Sequence, residues 1–133
     1  MRLLPHPATE DIQLTDVLRA LSDPVRLMIL HKLAEQRELT CADAGWDLGL
    51  HKSTVSHHYR ALREAGLILS KQDGRRIYLS LRRDDLETRF PGLLDSVLSA
   101  ARGSLPLAAP APPQPGPAGT PGPGRESSPA GRA

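Results

Sequence analysis

Apolar positions along the first hundred residues follow a helical period, switch to alternation, and return to a helical period. Ile12, Val17, Leu18 and Leu21 mark a first amphipathic helix over about 10–21, with Thr9 placed to cap it. Ser22-Asp23-Pro24 starts a second helix that runs to about Glu35. There Asp23 can accept from free N–H groups, and Pro24 suits the first helical position. Leu27, Leu30, Leu33 and Ala34 keep the period, and Ile29 widens the face. Gln36-Arg37-Glu38-Leu39 is a polar link, and Thr40 caps a short third helix over about 41–48. After the break at Gly49-Leu50, a fourth helix covers about 52–65 and stops at Gly66. Its Val55, Tyr59 and Leu62 are spaced four and three apart and line one buried face.

Beyond Gly66 the pattern reads as two strands, over 67–72 and 75–81, joined by Asp73-Gly74 as the central pair of a type I′ hairpin turn. A last helix over about 84–102 is interrupted at Pro91-Gly92. Its stripe of Leu93, Leu94, Val97, Leu98 and Ala101 is wider than one small domain covers, which makes it a candidate dimer helix. From residue 103 onward, 15 of 31 residues are Pro or Gly, too few apolar groups to offset the entropy of ordering. The expected organisation is therefore a flexible leader over 1–9, one domain over 10–102 and a disordered tail over 103–133.

The order is helix, helix, short helix, turn, helix, hairpin, helix. A short helix joined by a tight turn to a polar-faced helix is a helix-turn-helix, and the hairpin directly after it is a wing. The expected fold is thus mainly α with a small β-hairpin, a winged helix-turn-helix. Charge supports a nucleic-acid role only through its distribution. The formal net charge is +2, yet residues 52–83 hold eight Lys or Arg against two acids. An α-helix fits the major groove of B-DNA, and short polar side chains near its start can reach base edges. Ser53, Thr54, Ser56 and His57 suit that task, while Lys52 and Arg60 suit phosphate or guanine. In the wing, Lys71, Arg75 and Arg76 are placed to reach the neighbouring backbone or minor groove. Double-stranded DNA is the expected partner.

Three segments resemble the ArsR/SmtB family of winged-helix repressors. They are Ala20-Leu-Ser-Asp-Pro-Val-Arg-Leu-Met-Ile-Leu30, the run from Leu48 to Leu67 that holds Lys52-Ser-Thr-Val-Ser-His-His-Tyr-Arg60, and Gly74-Arg-Arg-Ile-Tyr-Leu-Ser-Leu81. The resemblance covers about residues 10–100. It implies a homodimer built from the first and last helices, bound to an imperfect palindrome at a promoter and released by an inducer. It also directs attention to metal ligands. One family site needs a Cys-x-Cys pair, whose positions fall on Thr40 and Ala42, with Cys41 between them. The other needs Asp-x-His followed by His-x-x-Glu; Asp95 is present, but Val97 stands at the His position and no histidine follows His58. No cofactor is therefore expected. A non-standard site of His6, His31 and Cys41, within or between subunits, would favour nickel or zinc.

Other residues stay open at this point. Cys41 is either a redox switch, its thiol acidified at a helix start, or a small buried hydrophobe. His58 is expected partly packed, and Trp46 is expected to pack the third helix against its surroundings or to line a ligand pocket. A single cysteine, no membrane-length apolar run and no secretory signal point to the cytoplasm. No nucleophile-base pair, glycine-rich phosphate loop or metal motif suggests an enzyme. A second reading keeps the fold but makes the last helix and proline-rich tail a docking module for a co-regulator protein that supplies nickel or other metal sensing.

Overall fold

The computed structural model describes residues 1–104. Strand β1 (Arg2–Leu3) opens the chain and a 3-10 turn (Thr9–Asp11) follows it. Helices α1 (Leu14–Ala20) and α2 (Pro24–Glu35) come next, then strand β2 (Leu39–Thr40) and helix α3 (Cys41–Gly45). Helix α4 (Lys52–Ala65) leads into strands β3 (Ile68–Asp73) and β4 (Arg76–Leu81). Helices α5 (Arg83–Arg89) and α6 (Leu93–Ser104) complete the order. The four strands form one antiparallel sheet in the order β1-β3-β4-β2. This is a winged helix-turn-helix, with α3 and α4 as the helix pair and the β3–β4 hairpin as the wing.

Local chemistry explains most boundaries. The Asp23 carboxylate accepts from the N–H groups of Val25 (2.8 Å) and Arg26 (3.2 Å), so α2 begins at Pro24 as expected. Thr40 Oγ1 accepts from the N–H of Asp43 at 3.0 Å and caps α3. Gly66 ends α4 in the left-handed region with φ 93°. Gly92, with φ 82°, breaks the last helical stretch into α5 and α6 where Pro91-Gly92 announced an interruption. The core gathers Ile29, Leu30 and Leu33 of α2, Leu62 of α4, Ile68 and Leu79 of the hairpin, and Leu94 and Leu98 of α6.

Several expectations need correction. Residues 1–9 are not a frayed leader. Arg2 and Leu3 pair with Gln72 and Lys71, Leu4 N–H donates to the Ser70 carbonyl at 2.9 Å, and Arg2 Nη2 donates to Gln72 Oε1 at 2.7 Å. Farther along, Arg63 Nε donates to the Pro5 carbonyl and Arg82 Nη1 to that of Pro7. The first helix begins at Leu14, not Glu10, because Thr9 does not cap it. Its hydroxyl donates instead to Asp85 Oδ1 at 2.9 Å. Burial raises the Asp85 pKa, but the Arg82 guanidinium and the Thr9 hydroxyl outweigh it and hold the carboxyl below its usual value. The polar link contains β2, paired with β4, and α3 stops at Gly45. The hairpin turn lies one residue later than expected. Asp73 pairs with Arg76, so Gly74 and Arg75 are the central residues, with Gly74 at φ 66°.

In α6, Leu94, Leu98 and Ala101 are buried within the chain, whereas Leu93 and Val97 are half-buried. On α1, Leu14 and Leu18 stand on one face, 43% and 47% exposed. The expected tail over 103–133 lies outside the described residues, except that Gly103 and Ser104 continue α6. No helix among the described residues is long and apolar enough to cross a membrane.

Gly66 is the most exacting backbone position. A Cβ there would sit 2.7 Å from Ile12 Cγ1, on a left-handed backbone. Gly66→Ala is expected to cost about 2–4 kcal/mol, roughly 1–2 from the left-handed strain and the rest from overpacking against Ile12. Urea unfolding checks this, and Ile12→Val added to Gly66→Ala should recover part of the loss. Equal losses in the single and double variants would place the strain elsewhere.

Candidate nucleic-acid interface

Helix α4 presents its polar face because its other face is committed to the core. Val55, His58, Tyr59, Leu62 and Ala65 are buried, while Lys52, Ser53, Thr54, Ser56, His57 and Arg60 are exposed. The helix starts after His51, which is extended and makes no side-chain cap, so N–H groups of the first turn remain available to an anion. Ser53 Oγ lies 3.4 Å from His51 Nδ1.

Contacts with α3 and α2 help to set the pose of α4. Against α3, Gly45 packs so tightly that a Cβ would lie 2.7 Å from Tyr59 Oη and 3.0 Å from Val55 Cγ1. Tyr59 Oη donates to the Cys41 carbonyl at 2.7 Å. Against α2, Arg26 Nε donates to His58 Nδ1 at 3.1 Å, which requires the neutral imidazole as acceptor. Burial lowers the His58 pKa. Asp23 opposes that shift, whereas Arg26 and His57 add to it. Helix α3 is in turn tied to α2, where Lys32 Nζ donates to the Ala44 carbonyl at 2.9 Å and pairs with Asp47.

The residues expected to meet DNA divide into groups. Lys52, Ser53, Ser56, His57 and Arg60 surround one shallow depression with His51. Lys52 and Ser56 also line a groove of about 790 Å³ bounded by α3, α4 and the wing, together with Arg75, Arg76 and the acidic Asp43 of α3. Thr54 is exposed but borders neither hollow. Lys71 is apart from them: it lies within β3, half-buried, and pairs with Glu38 at 3.0 Å. The hairpin register puts Arg75 in the turn itself, and Arg75 and Arg76 are both exposed. Trp46 does not pack the third helix inward; it is 54% exposed and lines the same groove. The Arg26–His58 contact had no sequence signal, because its partners are 32 residues apart.

The family profile of the bacterial regulatory proteins of the arsR family matches residues 23–70, from the cap of α2 to the middle of β3. An uncharacterized HTH-type transcriptional regulator of Bacillus subtilis, YceK, is 40% identical over 82 residues, which span 61% of this chain and 82% of that protein. The chain belongs to the ArsR family. Another ArsR-family relative, the transcriptional repressor SdpR of Bacillus subtilis, is 30% identical over 84 residues, covering 63% of this chain and 92% of that one. Among solved structures, HlyU from Vibrio cholerae aligns with a TM-score of 0.54 at 23% identity, covering 65% of this chain and 88% of HlyU, which shows a shared fold. An ArsR-family winged helix is a DNA-binding transcription regulator.

For this ArsR-family chain the positions that resemble metal-ligand sites have other occupations. Thr40 caps α3, Ala42 is exposed and Val97 is half-buried on α6. Among the described residues of one chain, no three His, Cys, Asp or Glu side chains converge, so His6, His31 and Cys41 do not meet within it. The thiol of Cys41 is not acidified at its helix start. Burial pushes it up to about 11, and the charge of Arg63 offsets only part of that. Burial likewise raises the Tyr59 phenol, with Cys41 and Asp47 adding to it, so Tyr59 stays a protonated donor.

Two measurements follow from these environments. Because His58 has a lower pKa folded than unfolded, its neutral-state contribution is complete above the ordinary value of 6.5. That contribution is lost as pH falls from there toward the folded value. Urea midpoints should therefore drop between about pH 7.5 and about pH 5.5, and His58→Gln, which keeps an acceptor for Arg26, should flatten that part of the profile. An unchanged profile in the variant would assign the loss to other groups. For Cys41, iodoacetamide alkylation of the folded chain at about pH 8 should run roughly 100-fold slower than that of a free cysteine. The rate should climb toward pH 11; a plateau near neutrality would contradict the buried thiol.

Proposed function

We propose that this protein is a dimeric transcriptional repressor that reads an imperfect palindrome through α4 and steadies itself with the wing. The observation that carries the reading is the joint presentation of Lys52 and Ser56 of α4 and Arg75 and Arg76 of the wing on one groove. A helix in the major groove and a hairpin tip at the adjacent backbone require that pairing. Ser53, Ser56 and His57 are the base-reading candidates, and Lys52, Arg60, Arg75 and Arg76 the phosphate or guanine candidates. Thr54 belongs to the same exposed face. Lys71 contributes field strength only to the extent that Glu38 leaves it unneutralised.

Dimerisation rests on apolar surface that one chain leaves uncovered. Leu14 and Leu18 on α1 are nearly half exposed, and Leu93 and Val97 on α6 are half-buried. Fully burying each leucine would contribute about 1.5–3 kcal/mol. A two-fold dimer would then set two α4 helices about one DNA turn apart, roughly 34–36 Å. The relative SdpR is a transcriptional repressor, and repression is proposed here for this chain. Release from DNA is proposed to proceed without a Cys-x-Cys or Asp-x-His metal site, since Thr40, Ala42 and Val97 occupy those positions.

The test is salt-dependent binding to a duplex from the protein's own upstream region and to an unrelated duplex. His57→Ala and Arg60→Ala should each cost about 1–3 kcal/mol on the upstream duplex and narrow the gap between the two. Arg75→Ala should weaken both duplexes alike and reduce the salt slope by about one. Wild-type affinity in all three variants would mean that this face is not the DNA surface.

A further inference from the structure

The turn between α3 and α4 carries a side chain that neither the core nor the polar face of α4 explains. Trp46 is the one tryptophan in the chain, and it is 54% exposed. Its backbone is held on both sides: Ala44 is buried with its carbonyl bonded by Lys32 Nζ, Gly45 is pressed against Tyr59, and Asp47 pairs with Lys32. A large aromatic ring on a pinned backbone loses little freedom on contact, which is how interface anchors are built. The ring lines the groove bounded by α3, the start of α4 and the wing, which Lys52, Arg75 and Arg76 also line.

We infer that Trp46 is a DNA-backbone contact: the indole packs on a deoxyribose of the strand seated in this groove, and its N–H donates to an adjacent phosphate. The inference rests on the DNA-binding reading above. The chemistry matches on each count. Three cations, Lys52, Arg75 and Arg76, line the groove against one acid, Asp43, and this net positive lining favours phosphates there. The sugar between two phosphates is the apolar part of the backbone, and a half-exposed indole offers it a flat apolar partner with one donor at its edge. The first helix of a helix-turn-helix crosses the backbone while the second enters the groove, which is where a residue just after α3 is carried. A contact of this kind adds affinity without reading bases.

The experiment uses the full chain with two fluorescein-labelled duplexes, one from its upstream region and one unrelated. Anisotropy reports binding, and acrylamide quenching of tryptophan emission reports Trp46 alone. The expected result is several-fold protection from acrylamide on binding either duplex. Trp46→Ala should weaken both duplexes alike by about tenfold with an unchanged salt slope, and Trp46→Phe should fall between. Binding by anisotropy with unaltered quenching, or with Trp46→Phe and Trp46→Ala within about twofold of wild type, overturns the assignment and leaves the DNA reading intact. A loss confined to the upstream duplex also overturns it, because that marks a base contact. If the wild-type chain leaves the anisotropy of both duplexes unchanged, the DNA reading itself falls and this assignment with it. Should Trp46→Ala fail to fold, wild-type quenching and Trp46→Phe still decide.

Discussion

The presentation of α4 depends on how closely α3 lies against it. Gly45 leaves no room for a side chain beside Tyr59 and Val55, and the Tyr59 hydroxyl reaches across to the Cys41 carbonyl. These contacts hold the two helices close, because a methyl group at position 45 would meet both the phenol oxygen and the valine methyl. It also dictates chemistry. The phenol must remain protonated to donate, and burial keeps it so. The same burial takes the neighbouring thiol out of the reactive range, so packing and the quiet state of Cys41 have one cause. With α3 locked, the turn at Gly49 delivers Lys52 to the groove mouth, and Trp46 is carried along beside it.

Charges in this chain do two different jobs, and their partners tell which. Arg82 is buried and serves the fold, bonded to Asp85 and to the Pro7 carbonyl. Lys32 ties α2 to the end of α3 through Ala44 and Asp47. Arg63 is spent on the Pro5 carbonyl and Lys71 on Glu38. Lys52, Arg60, Arg75 and Arg76 are exposed and border the two hollows. The local excess of basic residues over 52–83 is thus part scaffold and part exposed surface. Only the second part would release counterions from DNA.

What the sequence revealed was local, and what it concealed was long-range. Asp23-Pro24, Gly66 and Pro91-Gly92 announce helix boundaries through chemistry confined to a few residues, and the structure follows them. The polar face of α4 was legible for the same reason, since Val55, Tyr59 and Leu62 reveal the buried side by spacing alone. Strand β1 was not, because its partners lie 70 residues away and nothing in Arg2-Leu3 marks a strand. The partner of Lys71 was hidden for the same reason, Glu38 being on another element. Thr9 showed the limit of a capping rule: a hydroxyl that could accept from the N–H groups of a helix start instead donates to Asp85. The outward position of Trp46 contradicted the usual preference of a large aromatic ring for the interior, and such departures gather at functional surfaces.

The pairing of β1 with β3 has a consequence for the order of events during synthesis. Residues 2 and 3 emerge some seventy residues before their partners at 71 and 72. Until then the outer side of β3 does not exist, and afterwards it is an open edge until the N-terminal segment swings back to cover it. Closing so long a loop is slow compared with forming the hairpin, which needs only its own turn. The nascent domain therefore passes through an interval in which its wing is formed but bare along one side. In that interval an unpaired strand edge is available to any neighbouring chain in the same state. Seating Arg2 and Leu3 is the step that ends this exposure.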